Sequence, residues 1–117
     1  MKQDDIRVAA FLLHQAAEAA YKTILLVFTN YCPDEHFLRH LESKAAKHHP
    51  SLPDVFPRET RAQQQLFDQL DLAYIGARYQ PTWQITKEEL DQLGPCVRQL
   101  LDVTKTTCRT AIDNLGK

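Results

Sequence analysis

Four residues near the N-terminus have side chains that could bind a phosphorylated ligand. Arg7, His14, Glu18 and Lys22 are spaced by seven, four and four residues. Side chains at these spacings stack on one side of a helix. A row of basic, imidazole and carboxylate groups suits a phosphate and a ribose. The alternative is a solvated helix face with ion pairs between turns, an arrangement that is common and contributes little.

A second group of candidate residues, Tyr74, Arg78 and Tyr79, lies at the end of a predicted helix. An arginine can hold a phosphate with two parallel hydrogen bonds, and tyrosine rings can stack on a base. The same residues also fit a core tyrosine followed by an arginine that caps the helix. The pattern alone leaves both interpretations open.

His36 and His40 stand four residues apart, a spacing that lets two imidazoles bind one metal ion on a helix. Cys32 and Glu35 are close in sequence, but no spacing identifies a third ligand. We therefore interpret these histidines as surface residues and predict no metal site and no cofactor.

The end of the second predicted helix is positively charged. Lys44, Lys47, His48 and His49 follow one another there, after Arg39. Cations near a helix C-terminus offset the macrodipole, and this structural explanation requires no ligand.

Apolar residues at three- and four-residue steps predict four helices and no strand, and their core-facing stripes include Tyr31 at the end of the first helix and Leu101 in the fourth. The helices are expected at about 4–31, 34–47, 60–79 and from 86 onwards. Short connections between them favour an all-α, up-and-down four-helix bundle in a mostly antiparallel arrangement. A fifth short helix is compatible with the remaining residues.

Local signals mark the helix boundaries. Thr60 with Gln63 and Thr86 with Glu89 match capping boxes. Pro95, inside the fourth helical pattern, predicts a kink or a short break. The proline-containing loop 50–57 is expected to attach to the bundle through its apolar side chains, Leu52, Val55 and Phe56.

Composition predicts one domain over residues 1–117. The net charge of −1 argues against a dedicated nucleic-acid binder, although it leaves a local basic patch open. Three cysteines without a CxxC pair indicate reduced thiols and a cytoplasmic location. No apolar run is long enough to cross a membrane, and no Walker loop, GxGxxG or nucleotidyltransferase GS…DxD motif is present.

Two motifs in this order resemble those of the HEPN family. The first helix contains FLLHQAAEAAYKTILLVF (11–28), and the third ends with DLAYIGARYQP (71–81). Between them stand His36 and the leucines of the second helix, and ITKEELDQL (85–93) follows. The resemblance covers nearly the whole chain. It is closest to HEPN domains that are fused behind, or encoded beside, a minimal nucleotidyltransferase domain.

The resemblance implies a helical bundle that forms a homodimer and has a nucleotide-related role. Such a module would bind an ATP- or GTP-like nucleotide and accompany a nucleotidyltransferase domain in cis or in trans, or form half of a toxin–antitoxin pair. Carried over by position, the binding residues are His14, Gln15, Glu18, His36, Tyr74, Arg78 and Tyr79. A pair between Glu18 and Arg78 across the bundle is also expected. This function requires the Gln15–Glu18 and Arg78–Tyr79 stretches to meet on one surface.

Two alternatives remain. Many HEPN proteins are endoribonucleases with an R-x4–6-H motif, and Arg7 with His14 fits that spacing. These two residues lie in the first helix, whereas the catalytic pair of the family usually comes much later. The other alternative is a purely structural dimerisation bundle. The preferred interpretation is a non-catalytic binding module without enzymatic activity of its own.

Overall fold

The computed structural model describes residues 3–115, with side chains from residue 5 onwards. This part of the chain contains four α-helices and no strand, which confirms the predicted all-α bundle. The helices are α1 (Gln3–Thr29), α2 (Leu38–Ala45), α3 (Arg61–Tyr79) and α4 (Lys87–Leu115). A short 3₁₀ helix, Leu52–Val55, lies in the proline-containing loop between α2 and α3.

α1 is the central helix, because it packs against α2, α3 and α4. The predicted apolar stripe is buried along most of its length, at Ile6, Ala10, Ala17, Ala20 and Ile24. Although α1 has 27 residues and α4 has 29, no helix within residues 3–115 is apolar enough to cross a membrane.

The end of α1 comes two residues earlier than predicted. Asn30 has a φ of 58°, in the left-handed region, and its N–H donates to the carbonyl of Leu26 at 2.9 Å. Asparagine tolerates this conformation and commonly ends helices in this way. Tyr31, expected as the last core position of the helix, is instead 65% exposed beyond its end.

α2 is shorter at both ends than predicted. At its start, side chains bind the backbone N–H groups in place of the expected first turn. The Glu35 carboxylate accepts the N–H groups of His36 and Phe37, both at 3.0 Å. Asp71 of α3 accepts the N–H of Leu38 at 2.6 Å. With these donors satisfied, the chain stays non-helical until α2 begins at Leu38.

A buried polar network attaches the proline-containing loop to the core. Arg58 donates to Glu42 at 2.6 Å, and the Tyr21 hydroxyl donates to the other oxygen of the same carboxylate at 3.4 Å. Burial raises the pKa of Glu42, although the Arg58 guanidinium opposes this. The loop's own apolar side chains, Leu52, Val55 and Phe56, are buried as predicted.

Both predicted capping boxes are present. Thr60 and Gln63 exchange side chain–backbone hydrogen bonds at the start of α3, and Thr86 and Glu89 do so before α4. The break considered near Pro95 does not occur, because α4 continues through it. Leu101, expected in the core stripe of α4, is 44% exposed.

The connection from α3 to α4 folds back onto α3 through Trp83. Its indole N–H donates to Gln69 at 3.1 Å, and its ring covers Gly76 of α3. A Cβ atom at position 76 would stand 2.5 Å from the indole Cγ. Only a glycine therefore allows Trp83 to pack in this position.

We expect Gly76→Ala to destabilise the fold by about 1–3 kcal/mol, since overpacking must displace the indole. Gly94→Ala is the matched control, because a Cβ there meets nothing within 4 Å. Alanine has a higher helix propensity than glycine, but the following proline opposes this gain. We therefore expect the stability of Gly94→Ala to differ from that of wild type by less than about 1 kcal/mol. Urea unfolding measures both; equal stability of the two variants would contradict the packing of Trp83 on Gly76.

Candidate functional site

Glu18 of α1 collects basic groups from its own helix and from the segment before α2. Its carboxylate accepts from Lys22 Nζ at 3.1 Å and lies 3.2 Å from Nδ1 of His36. His14, one turn earlier on α1, has Nδ1 3.8 Å from the same carboxylate. Glu18 therefore links α1 to the segment that carries His36.

The Tyr74 ring of α3 joins this group from the other side. The His36 imidazole stacks on it, with ring centres 4.4 Å apart and planes within 8°. His14 lies 5.5 Å from the same ring in a tilted arrangement. The first-helix motif and the third-helix motif are thus in direct contact through aromatic rings.

Arg78 lies one turn beyond Tyr74, among three aromatic rings. Its guanidinium carbon is 4.1 Å from the centre of the Tyr74 ring, 4.7 Å from Tyr79 and 5.3 Å from Phe11. Its Nε donates to the Tyr74 carbonyl at 3.0 Å. The expected pair between Arg78 and Glu18 is not formed, since Glu18 is engaged by Lys22 and His36.

We refer to His14, Glu18, His36, Tyr74 and Arg78 as the motif cluster. The other two predicted site residues, Gln15 and Tyr79, are exposed at its edge. Gln15 has Oε1 3.4 Å from His14 Nδ1, and the Tyr79 ring lies beside Arg78. The sequence-predicted residues of the two motifs therefore lie on one side of the bundle.

Arg7 does not share this surface, although it belongs to the same polar row of α1. Its guanidinium donates to the carbonyls of Gly76, Ala77 and Gln80 at 2.9–3.1 Å, and also to the carbonyl of Trp83. It therefore caps the C-terminal end of α3. The interpretation of the row as a solvated face was wrong for Arg7 and His14, but the expected ion pair between turns is present between Glu18 and Lys22.

The ribonuclease alternative requires Arg7 and His14 to reach a phosphate. The donors of Arg7 are occupied by backbone oxygens, and His14 is 0% exposed. Both residues thus have structural positions in this chain, and the geometry does not favour that alternative.

The histidines at positions 36 and 40 turn towards different carboxylates. His36 faces Glu18, and His40 Nδ1 is 3.2 Å from Glu35. Among the described residues, no group of three or more His, Cys, Asp or Glu side chains is placed to hold a metal ion.

Two residues that position the site were not identified from the sequence. Phe11 contacts Tyr74 edge to face, with ring centres 6.5 Å apart, and lies beneath Arg78. Asp71 is buried in α3 and binds both the start of α2 and Arg39, whose Nε is 2.6 Å away. The sequence signal for a structural role of Asp71 was its position directly after Leu70, a core leucine.

Burial decides the protonation of His14. Desolvation lowers the pKa of His14. The hydrogen bond to Gln15 and the charge of Glu18 raise this pKa, but by a smaller amount. Among the described residues, its Nε2 has no hydrogen-bond partner. Burial therefore favours the neutral form of His14 in the folded chain, because the nearby Glu18 carboxylate offsets only part of the desolvation of the imidazolium.

We expect His14 to make the fold sensitive to acid. A histidine whose folded-state pKa is depressed contributes no penalty above about pH 6.5, but stability falls as the pH drops below that value towards the folded-state pKa. His14→Leu should be at least as stable as wild type at higher pH and lose less stability on acidification. Urea unfolding on both sides of about pH 6.5 measures this.

His49→Leu, which changes a half-buried histidine at the end of the turn after α2, is the control and should retain the acid sensitivity of wild type. Identical pH dependence in His14→Leu and wild type would show that His14 is not buried in the neutral form.

The model of the HEPN domain matches residues 1–107 of the chain. No curated protein sequence matches it. The family match spans most of the sequence and includes both stretches that form the motif cluster. This chain, an all-α bundle with its two motifs in contact, belongs to the HEPN domain family.

Proposed function

We propose that this HEPN domain is a non-catalytic helical module that binds a nucleotide at the motif cluster and accompanies a nucleotidyltransferase domain in cis or in trans. The observation that carries the proposal is the position of Arg78, an exposed cation held among three aromatic rings. One of these rings, Tyr74, also contacts the imidazoles of His14 and His36.

Arg78 is suited to bind a phosphate. Its Nε is fixed by the Tyr74 carbonyl, and within the described part of the chain its terminal nitrogens make no hydrogen bond. Contact with the Tyr74 and Tyr79 rings restricts the movement of the guanidinium group. A preorganised, planar pair of donors matches two phosphate oxygens and loses little entropy on binding.

The neighbouring groups suit the rest of a nucleotide. Tyr79 is 67% exposed and offers a ring face for stacking on a base. The exposed Gln15 amide can both donate to and accept from a base edge. Glu18 can accept a hydrogen bond from a ribose hydroxyl. The ligand class is an ATP- or GTP-like nucleotide.

The proposed partner rests on the resemblance to HEPN domains that occur with minimal nucleotidyltransferases. A toxin–antitoxin pair is one form that this association takes. The absence of a catalytic role is supported by the positions of Arg7 and His14, which are a helix cap and a core residue. A bound nucleotide would then be presented to the partner domain rather than cleaved.

Calorimetry of the full chain with ATP and GTP tests nucleotide binding. We expect saturable binding that Arg78→Ala weakens by about tenfold or more, because a hydrogen bond to a charged group contributes about 1.5–3 kcal/mol. Arg78→Lys should restore little, since lysine keeps the charge but not the stacked, planar geometry.

Arg98→Ala is the matched control, because Arg98 is an exposed arginine of α4. It should bind as wild type does. No heat with millimolar ATP or GTP, or equal loss of affinity in both alanine variants, would remove nucleotide binding at the motif cluster from the proposal.

We further propose that the second copy of a homodimer covers α1 along Val8, Leu12, Ala19, Thr23 and Leu26, and that Gln15, at the edge of this face, stays open to the motif cluster. The exposed side chains of α1 between residues 8 and 26 are all uncharged: Val8, Leu12, Gln15, Ala19, Thr23 and Leu26. The exposed face of a helix normally carries charged residues. Val8 and Leu12 are 58% and 63% exposed, and Leu26 is 49% exposed. An uncharged face of this length favours a protein partner over water.

The pattern on this face is self-complementary. Two antiparallel copies of α1 that meet between Ala16 and Ala19 would bring Leu12 of each copy opposite Thr23 of the other, and Val8 close to Leu26. Small residues at the centre allow the helices to approach closely. The two-fold axis would lie perpendicular to both helices, so both motif clusters would face the same side of the dimer.

Leu12→Glu tests this interface, because it places a carboxylate against the second copy on both sides of the axis. We expect wild type to sediment as a dimer and the variant as a folded monomer. Leu101→Glu, a matched change at a 44% exposed leucine of α4, should remain dimeric. A monomeric wild type, or dissociation only in Leu101→Glu, would contradict dimerisation through α1.

A further inference from the structure

A cavity with a volume of about 350 Å³ lies where the end of α1 meets the end of α2. Small-molecule sites have volumes of roughly 300–1,000 Å³, so this cavity suits a small ligand. Its floor includes Leu25 and Pro33, both buried. We call it the basic cavity, because its rim contains Lys44, Lys47 and His48.

The rim has a strong excess of positive charge. No carboxylate lines the basic cavity. Among the side chains that the structure describes, neither Lys44 nor Lys47 has a salt-bridge partner. Two cations beside an apolar floor, in a chain whose net charge is −1, attract an anion to this position.

The lysines offset the macrodipole of α2, but they are not needed as hydrogen-bond caps for it. The backbone N–H of Ala46 bonds to the Glu42 carbonyl at 2.8 Å, and the carbonyl of Ala45 accepts from His48 and His49 at 3.0 and 3.2 Å. The turn after α2 thus supplies backbone donors for the carbonyls of Glu42 and Ala45. The ammonium groups of Lys44 and Lys47 remain available for another partner.

Tyr31 gives the basic cavity an aromatic wall. The left-handed Asn30 turns the chain after α1, and the N–H of Tyr31 then donates to the Thr29 hydroxyl at 3.2 Å. The Tyr31 ring lines the cavity and is 65% exposed. A flat apolar group can therefore enter the cavity and stack on it.

The opposite rim is also held in place. The His48 imidazole stacks on Phe28 of α1, with ring centres 5.2 Å apart and planes within 12°. This contact fixes the turn after α2 against α1. The distance between the aromatic wall and the cationic rim is thereby set by the folded chain before any ligand binds.

We propose that the basic cavity is a second binding site, for a small organic phosphate with a flat apolar body. The phosphate lies between Lys44 and Lys47, with His48 beside it, and the apolar body lies against Tyr31 and Leu25. The site is distinct from the motif cluster: the two share no residue, and the basic cavity lies near the C-terminal end of α1.

An NMR titration of the full chain tests the proposal with four probes: AMP, phenyl phosphate, ribose 5-phosphate and inorganic phosphate. We expect AMP and phenyl phosphate to shift the signals of Tyr31, Lys47 and His48 in a saturable manner. The two probes without an aromatic ring should bind at least about tenfold more weakly, because they cannot stack on Tyr31. A preference for AMP over phenyl phosphate would identify a nucleotide as the ligand. Equal binding of these two probes would identify a simpler aryl phosphate as the ligand.

The double variant Lys44→Glu/Lys47→Glu should lose these shifts, and Tyr31→Ala should weaken AMP binding by about tenfold. Arg61→Glu/Arg98→Glu changes net charge equally at exposed positions outside the cavity and should bind as wild type does. Circular dichroism would verify that each variant is folded.

Three results would overturn the proposal: no saturable shift with either aromatic phosphate at millimolar concentration, equal binding of inorganic phosphate, or binding that survives the Lys44→Glu/Lys47→Glu change. The motif cluster is tested separately, since its own ligand would shift Tyr74 and Tyr79, and Arg78→Ala should remove those shifts alone.

Discussion

The contact between Arg7 and the end of α3 fixes the position of the motif cluster. The last carbonyls of a helix have no partner within it, and here the guanidinium of Arg7 supplies donors to Gly76, Ala77 and Gln80. Hydrogen bonds to a charged group are stronger than neutral ones. Because Arg7 stands two turns before His14 on α1, the end of α3 is held beside that part of α1, and Tyr74 meets the imidazole of His14.

Charge also holds the short elements of the chain in place. α2 has only eight residues, and its first N–H is bound by the buried carboxylate of Asp71, which Arg39 also contacts. Glu42 and Arg58 play the corresponding part for the proline-containing loop. A buried carboxylate that loses its cation is costly, so these pairs specify one arrangement of the short elements. His36 reaches Tyr74 only because the residues that follow it are fixed in this way.

Contacts between residues close in sequence explain which features the sequence predicted. The capping boxes at Thr60 and Thr86 depend on residues three positions away, and both were predicted. The start of α2 depends on the hydrogen bond from the Leu38 N–H to Asp71, which lies 33 residues away. No local sequence pattern predicts that hydrogen bond. Arg7 was placed in a solvated row for the same reason, since its acceptors are backbone carbonyls about 70 residues later in the chain.

The motif cluster also combines features that the sequence predicted with features that it could not predict. Its residues were named from two motifs that resemble those of HEPN domains, and their mutual contact follows from α1 packing against α3. The pairings between elements could not be read from the motifs: Glu18 contacts His36, which lies 18 residues later, and Arg78 contacts aromatic rings. Phe11 completes that aromatic group, although its spacing is equally compatible with an ordinary core position.

The segment between α1 and α2 contacts both proposed sites. Tyr31 forms the wall of the basic cavity, and His36, five residues later, stacks on Tyr74 in the motif cluster. Pro33 is buried between them, and Glu35 fixes the far end by accepting two backbone N–H groups. A ligand that displaced Tyr31 would therefore act on His36 through few rotatable bonds. Any resulting change in affinity would be reciprocal, because the coupling free energy between two sites is the same in both directions.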